Sequence, residues 1–255
     1  MRVALTGGAS GIGAAVVDRM KADGHEVTSF DIAEPAGVDR WIETDLSDPA
    51  SVDAAIEAAD GPFDVLINNA GLPPRDGLEA KILAVNWFGL MHFLDGMLDK
   101  LADGAAIVNT ASRAGAFWRD NLKQVKKLCR LQLNDLPSFL SETGIDATRA
   151  YNLSKEAVIV MTMARTEEMI GRGLRMNCVS PAAVSTGILD DFVKAFGEKV
   201  AKNIARAGRA GTPEEVANVI AFLASPDSHW IKGQDIAIDG GMGSLAMTDM
   251  MGLNG

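Results

Sequence analysis

Residues 2–25 read RVALTGGASGIGAAVVDRMKADGH, an apolar run that passes directly into glycines and then into a segment of helical period, about 3.6 residues per turn. Gly7, Gly11 and Gly13 follow a Gly-x-x-x-Gly-x-Gly spacing. One glycine permits a tight turn, one lets backbone approach a pyrophosphate, and one lets the helix pack closely on the strand. A helix starting near Ile12, with Ser10 just before it, turns its free N–H groups and positive dipole end toward such a phosphate. Glycines alone can be no more than a turn; the strand before them and the helix after them are what a nucleotide cradle requires. The next strand, EVTSF, ends at Asp31, where the ribose hydroxyls of the adenosine half are expected. A carboxylate there accepts from both hydroxyls and repels a 2′-phosphate. No basic residue adjoins it and position 8 is glycine, so NAD is expected rather than NADP.

Working outward, strand-like runs RVALT, EVTSF, DVLIN, AAIVNT, LRMNCV and QDIAI alternate with helical patterns along all 255 residues. That alternation implies right-handed crossovers and a parallel, doubly wound α/β sheet, read as one domain over residues 1–255. In TPEEVANVIAFLAS, Thr212 is placed as an N-cap, Pro213 at the first helical position and Glu215 as the return partner of a capping box. A net charge of −10 and a pI near 4.8 argue against nucleic acid or an anionic membrane as partner, since both repel an acidic surface. Apolar runs such as AVIVMTMA are far shorter than the ~20 residues of a spanning helix. The first residues enter a strand with no leader pattern. A soluble, cytoplasmic protein is expected. Cys129 and Cys178 are expected to be free thiols, and His25, His92 and His229 show no metal-ligand spacing.

Tyr151 and Lys155 stand four apart in AYNLSKEAVIVMTMA, so on a helix the phenol and the ammonium share a face. An ammonium beside a phenol favours phenolate and is expected to lower the tyrosine pKa toward a useful range for acid–base chemistry. Many amphipathic helices carry such a pair without using it. Together with the glycine cradle and Asn68-Asn69-Ala70-Gly71, however, it makes the chain resemble the short-chain dehydrogenase/reductase family over nearly its whole length.

The resemblance implies a Rossmann-type domain with a central, mainly parallel seven-stranded sheet, acting on small alcohols or ketones as a homodimer or homotetramer. It places catalysis on Asn86, Ser112, Tyr151 and Lys155, with Asn86 holding a proton-relay water. It places an adenine contact at Asp45, further cofactor contacts at Leu46, Asn69, Ala70 and Gly71, and nicotinamide contacts at Pro181, Val184 and Thr186. Ala182 departs from the family's usual glycine, and GQDIAIDGG resembles its last strand.

Two irregularities bear on substrate. The interval from Ser112 to Tyr151 is wider than is usual in the family, so residues 113–150 form an insertion before the tyrosine. Leu122, Val125, Leu128 and Leu131 recur at helical spacing there, opposite Lys123, Lys126, Lys127 and Arg130, as in an amphipathic lid or packing helix. The insertion leaves at Ser112 and returns at Tyr151, so Phe117 and Trp118 are expected substrate contacts, with Leu189. Trp87, Leu72, Pro73 and Phe192 would complete an apolar wall, core packing being the alternative for each. Conversely, the stretch from Asp31 to Asp45 has little room for a helix. Both features resemble the subgroup that acts on coniferyl alcohol and on 3α-hydroxysteroids, which implies NAD-dependent oxidation of a hydrophobic alcohol. A non-catalytic nucleotide-binding regulator and a lyase or dehalogenase on the same scaffold are the readings from other classes. The tail, with Met242, Met247, Met250 and Met251, is expected either to cover an apolar surface or to fray.

Overall fold

The computed structural model describes residues 1–253 and is built on seven strands. These are β1 Arg2–Thr6, β2 Glu26–Asp31, β3 Arg40–Glu43, β4 Phe63–Asn68, β5 Leu101–Thr110, β6 Arg175–Pro181 and β7 Asp235–Ile238. They lie in the order β3-β2-β1-β4-β5-β6-β7 and every neighbouring pair is parallel. The sheet is therefore wholly parallel, and the chain reverses its direction of travel across the sheet between β1 and β4. That switch point is where an open α/β sheet binds its ligand, beyond the carboxyl ends of the strands. β3 was not among the strand-like runs: RWIE is short, polar at both ends and only half-buried at the sheet edge. Residues 32–39, between β2 and β3, contain no helix, as the spacing predicts.

The crossovers are α1 Gly11–Ala22, α2 Pro49–Ala58, α3 Glu79–Leu83 and α4 Leu90–Met97, the last two joined by a π-helical segment at Ala84–Gly89. The insertion holds α5 Leu122–Leu128 and α6 Leu136–Thr143 and feeds α7 Ala147–Ala164. There follow α8 Thr166–Gly171, α9 Leu189–Phe196, α10 Glu198–Ala207, α11 Pro213–Ala224 and α12 Met242–Met250.

Alternation along the strands separates two cores. Val3, Leu5, Val65, Ile67 and Val108 meet α1 and α11 on one face, while Ala4, Leu66 and Ile107 meet α4 and α7 on the other. Val3, Leu5, Val16 and Ile220 are wholly buried, and burial of each such side chain stabilises by about 1.5–3 kcal/mol. The predicted box on α11 forms: the Thr212 hydroxyl accepts from the Glu215 N–H, and the Glu215 carboxylate accepts from the Thr212 N–H at 2.9 Å.

In the insertion, Val125 and Leu128 are buried and Leu131 is half-buried, whereas Lys123, Lys126, Lys127 and Arg130 are exposed, as the periodicity predicts. The tail forms α12, tied to α10 by an Arg206–Asp249 ion pair, with Met247, Met250 and Met251 exposed. Both cysteines are free thiols. Among the described residues no helix is long and apolar enough to cross a membrane.

Candidate active site

The carboxyl ends of β1, β4, β5 and β6 bring the singled-out residues to one edge. Gly7 and Gly11 have φ of +76° and +55°, a backbone that side chains disfavour. A Cβ on Gly13 would lie 1.8 Å from the Gly7 carbonyl oxygen, and one on Gly7 would lie 2.7 Å from the Ala70 Cα. The turn is thus clamped between its own helix and residues 69–70. Asn69 donates to the Gly7 carbonyl at 3.1 Å, and the Thr6 hydroxyl accepts from the N–H groups of Asn69 and Ala70. Ser10 caps α1 without a side-chain bond, leaving its hydroxyl and the first-turn N–H groups of Gly11, Ile12 and Gly13 for an anion. Thr186 stands over this turn, 3.4 Å from where a Gly11 Cβ would lie.

At the end of β2, the Asp31 carboxylate accepts from the N–H of Ala9 at 2.9 Å and of Ala33 at 3.2 Å. It is therefore fixed beside the glycine turn. Asp45 accepts from the hydroxyl and N–H of Ser47, and chiefly that hydroxyl holds its carboxyl below the usual range. Leu46 is buried, its side chain packed in the core. Pro181 and Val184 are buried where β6 ends. Among the described residues none other than glycine has positive φ, so Ala182 fits the backbone that the family usually gives to glycine. Cradle, fixed carboxylate and free helix N-terminus together suit a dinucleotide.

Ser112, Tyr151, Lys155 and Asn86 also converge. Asn86 is fully buried in the π segment, its amide spent on the backbone of Leu72: it accepts from that N–H at 2.7 Å and donates to that carbonyl at 3.0 Å. Gly71 lies beside both Asn86 and Lys155, since a Cβ there would be 3.2 Å from Asn86 Oδ1 and 3.4 Å from Lys155 Nζ. Lys155 donates to the Thr110 carbonyl at 2.8 Å, with its Nζ 5.8 Å from the centre of the Tyr151 ring. The Ser112 hydroxyl lies close enough to the Tyr151 hydroxyl to favour its ionised form.

One expectation is overturned here. Tyr151 is not lowered by its cationic neighbour: burial pushes it up to about 12, against the opposing effect of Ser112. Lys155 is itself lowered to about 8 by burial, against an interaction with Cys178 that raises it. Removal from water penalises both charged forms, and it outweighs an attraction acting at this separation.

The walls also differ from expectation. Trp87 is 4% exposed and belongs to the core, and Pro73 is buried. Phe117 is 56% exposed, whereas Trp118 is half-buried against the core that contains Tyr151, with the Arg119 guanidinium 4.2 Å over its ring. Phe192 on α9 meets the Tyr151 ring edge-on at 5.3 Å, with Leu189 half-buried on the same helix and Leu72 packed on the same core. α9 is held to the loop after β4 by a two-pronged Arg75–Asp191 pair, which no local pattern in the sequence announces.

Residues 2–122 match the family model for short chain dehydrogenase, and residues 135–243 match the model described as Enoyl-(Acyl carrier protein) reductase. Over 248 residues the chain is 33% identical to coniferyl-alcohol dehydrogenase of Pseudomonas sp. (strain HR199 / DSM 7063), an alignment that covers 95% of this chain and 96% of that protein. The chain belongs to the short-chain dehydrogenase/reductase family. A second member, 3-alpha-hydroxysteroid dehydrogenase/carbonyl reductase of Comamonas testosteroni, is 30% identical over 251 residues, covering 95% of this chain and 96% of that one. The crystal structure of the 3-alpha-hydroxysteroid dehydrogenase from Pseudomonas sp. B-0831 complexed with NADH superposes with a TM-score of 0.86 at 32% identity, over 96% of this chain and 98% of that one. As a short-chain dehydrogenase/reductase the chain is an oxidoreductase that uses a nicotinamide dinucleotide. The two family matches leave residues 123–134 uncovered, within the insertion.

Proposed function

We propose that residues 1–255 form one NAD-dependent alcohol dehydrogenase domain that interconverts an alcohol and its carbonyl, with a hydrophobic alcohol such as coniferyl alcohol as substrate. The observation that carries this is the convergence of Ser112, Tyr151 and Lys155 beside the glycine cradle.

The dinucleotide, when bound through Gly7, Ser10–Gly13, Asp31, Asn69–Gly71, Pro181, Val184 and Thr186, supplies the hydride acceptor or donor. Tyr151 moves the proton: held neutral by burial, its phenol donates to a carbonyl oxygen, and in the oxidative sense it first releases its proton to the relay water, after which the phenolate oxygen takes the hydroxyl proton. The Ser112 hydroxyl orients that oxygen and stabilises the alkoxide as charge develops. Lys155 adds positive charge below the phenol. Because the Asn86 amide is engaged by Leu72, a relay water would rest on the main chain of the π segment, and Asn86 holds that segment's shape.

Asp31 supports NAD over NADP, since its fixed carboxylate repels a 2′-phosphate. Phe192 over the phenol, together with Trp118 and Leu189, supports an apolar substrate, as do the coniferyl-alcohol and hydroxysteroid enzymes that the chain resembles. The superposition on a 3-alpha-hydroxysteroid dehydrogenase favours a second reading, a 3α-hydroxysteroid substrate. We also infer a cytoplasmic homodimer or homotetramer, in keeping with the acidic surface and with the family.

NAD reduction followed with coniferyl alcohol and a 3α-hydroxysteroid side by side tests the reading. Tyr151→Phe is expected to lower kcat by about 10²–10⁴-fold while NADH binding persists. Residual turnover near wild type would overturn the assignment, and NADH binding without turnover of any alcohol would favour a regulatory nucleotide-binding protein.

A further inference from the structure

Glu156, the residue after Lys155 on α7, has a side chain only 1% exposed. Such a carboxylate is tolerable only if its charge and lone pairs are met. One oxygen accepts from Asn121 Nδ2 at 2.7 Å and from Arg149 Nη1 at 2.8 Å, and the other accepts from Arg149 Nη2 at 2.7 Å. Arg149 Nε in turn donates to Gln124 Oε1 at 2.9 Å. Two members of this cluster stand on α7, and the other two, Asn121 and Gln124, belong to the insertion.

The same insertion touches α7 at a second point. A Cβ on Gly115 would lie 2.8 Å from the carbonyl carbon of Lys155 and 2.9 Å from the N of Glu156, so the turn that follows Ser112 lies directly on that peptide. Between the two attachments run Phe117 and Trp118. Asn121 also donates to the Phe117 carbonyl at 3.3 Å, and the Trp118 N–H donates to the Gly115 carbonyl at 3.2 Å. The turn is thus held from both ends by the helix that bears Tyr151 and Lys155.

We infer that Glu156, Arg149 and Asn121 are positioning residues that hold the Phe117–Trp118 turn beside Ser112 and so set which bulky alcohols are accepted, an inference that rests on the alcohol dehydrogenase reading above. None of the three touches the Ser112 or Tyr151 hydroxyl. They act through the turn, whose Trp118 ring meets a large substrate and lies beyond a small one. Releasing the turn lowers the affinity for the large substrate and leaves the chemical step as it was.

The test uses the full chain with Asn121→Ala and Glu156→Gln, coniferyl alcohol and cyclohexanol as paired substrates, and amide hydrogen exchange as a readout independent of turnover. Each variant is expected to raise KM for coniferyl alcohol by about tenfold, with kcat, KM for cyclohexanol and KM for NAD within about twofold of wild type. Exchange across residues 113–121 is expected to quicken by about tenfold or more, with residues 2–31 unchanged. Asn121 is half-buried, so its variant carries the test should Glu156→Gln not fold. Equal changes on both alcohols, or unchanged exchange at 113–121, would overturn the inference. A wild type inactive on every alcohol would instead sink the dehydrogenase reading, and exchange would still decide whether the cluster anchors the turn.

Discussion

Lys155 is 4% exposed and donates to the Thr110 carbonyl, and its loss of water draws its pKa from an ordinary 10.5 to about 8. Below about 8 the folded chain carries a cation that water would solvate better. Between about 8 and 10.5 the unfolded chain binds more protons than the folded one, so this group makes stability rise with pH. Lys155→Met should abolish that contribution: thermal melts from about pH 7 to about pH 9.5 are expected to show wild type gaining on the variant. Parallel curves would mean that Lys155 does not titrate there. Asp31 makes a different argument, from repulsion and not from burial. Asp31→Ala is expected to raise kcat/KM for NADP relative to NAD by about tenfold or more, equivalent to about 1.4 kcal/mol. An unchanged cofactor preference in steady-state assays would relocate the ribose site.

Elements with a strong local signature were legible: the glycine turn into α1, the capping box of α11 and the amphipathic face of α5 each depend on residues near one another in the chain. Thr212→Ala is expected to cost about 1 kcal/mol, lowering Tm by about 2–4 °C, as calorimetry would show. β3 was not legible because an edge strand of four half-exposed residues has little pattern to display. The π segment at Ala84–Gly89 was not legible either. Its setting comes from contact with the chain near Leu46, whose carbonyl would lie 2.0 Å from a Cβ on Gly89. The raised tyrosine has the same kind of origin: four-residue spacing announces a neighbour, whereas burial depends on everything around it. The Glu156 cluster joins residues 35 apart, and no periodicity encodes that.

Across the whole molecule, seven parallel strands bring their carboxyl ends to one edge, so residues as remote in sequence as Gly7 and Thr186 stand over the same turn. The alternation of elements foretold this layout, because a parallel neighbour demands a crossover. The lining of the pocket was foretold in part: α9 brings the expected Phe192 onto Tyr151, whereas Trp87 faces the core and Phe117 is largely exposed. The stretch from Arg113 onward departs from the end of β5, and the Asp146 cap receives it again at α7. A newcomer molecule of another shape therefore asks for fresh residues in a single contiguous length of chain. Taste and machinery can diverge at separate rates within one gene product.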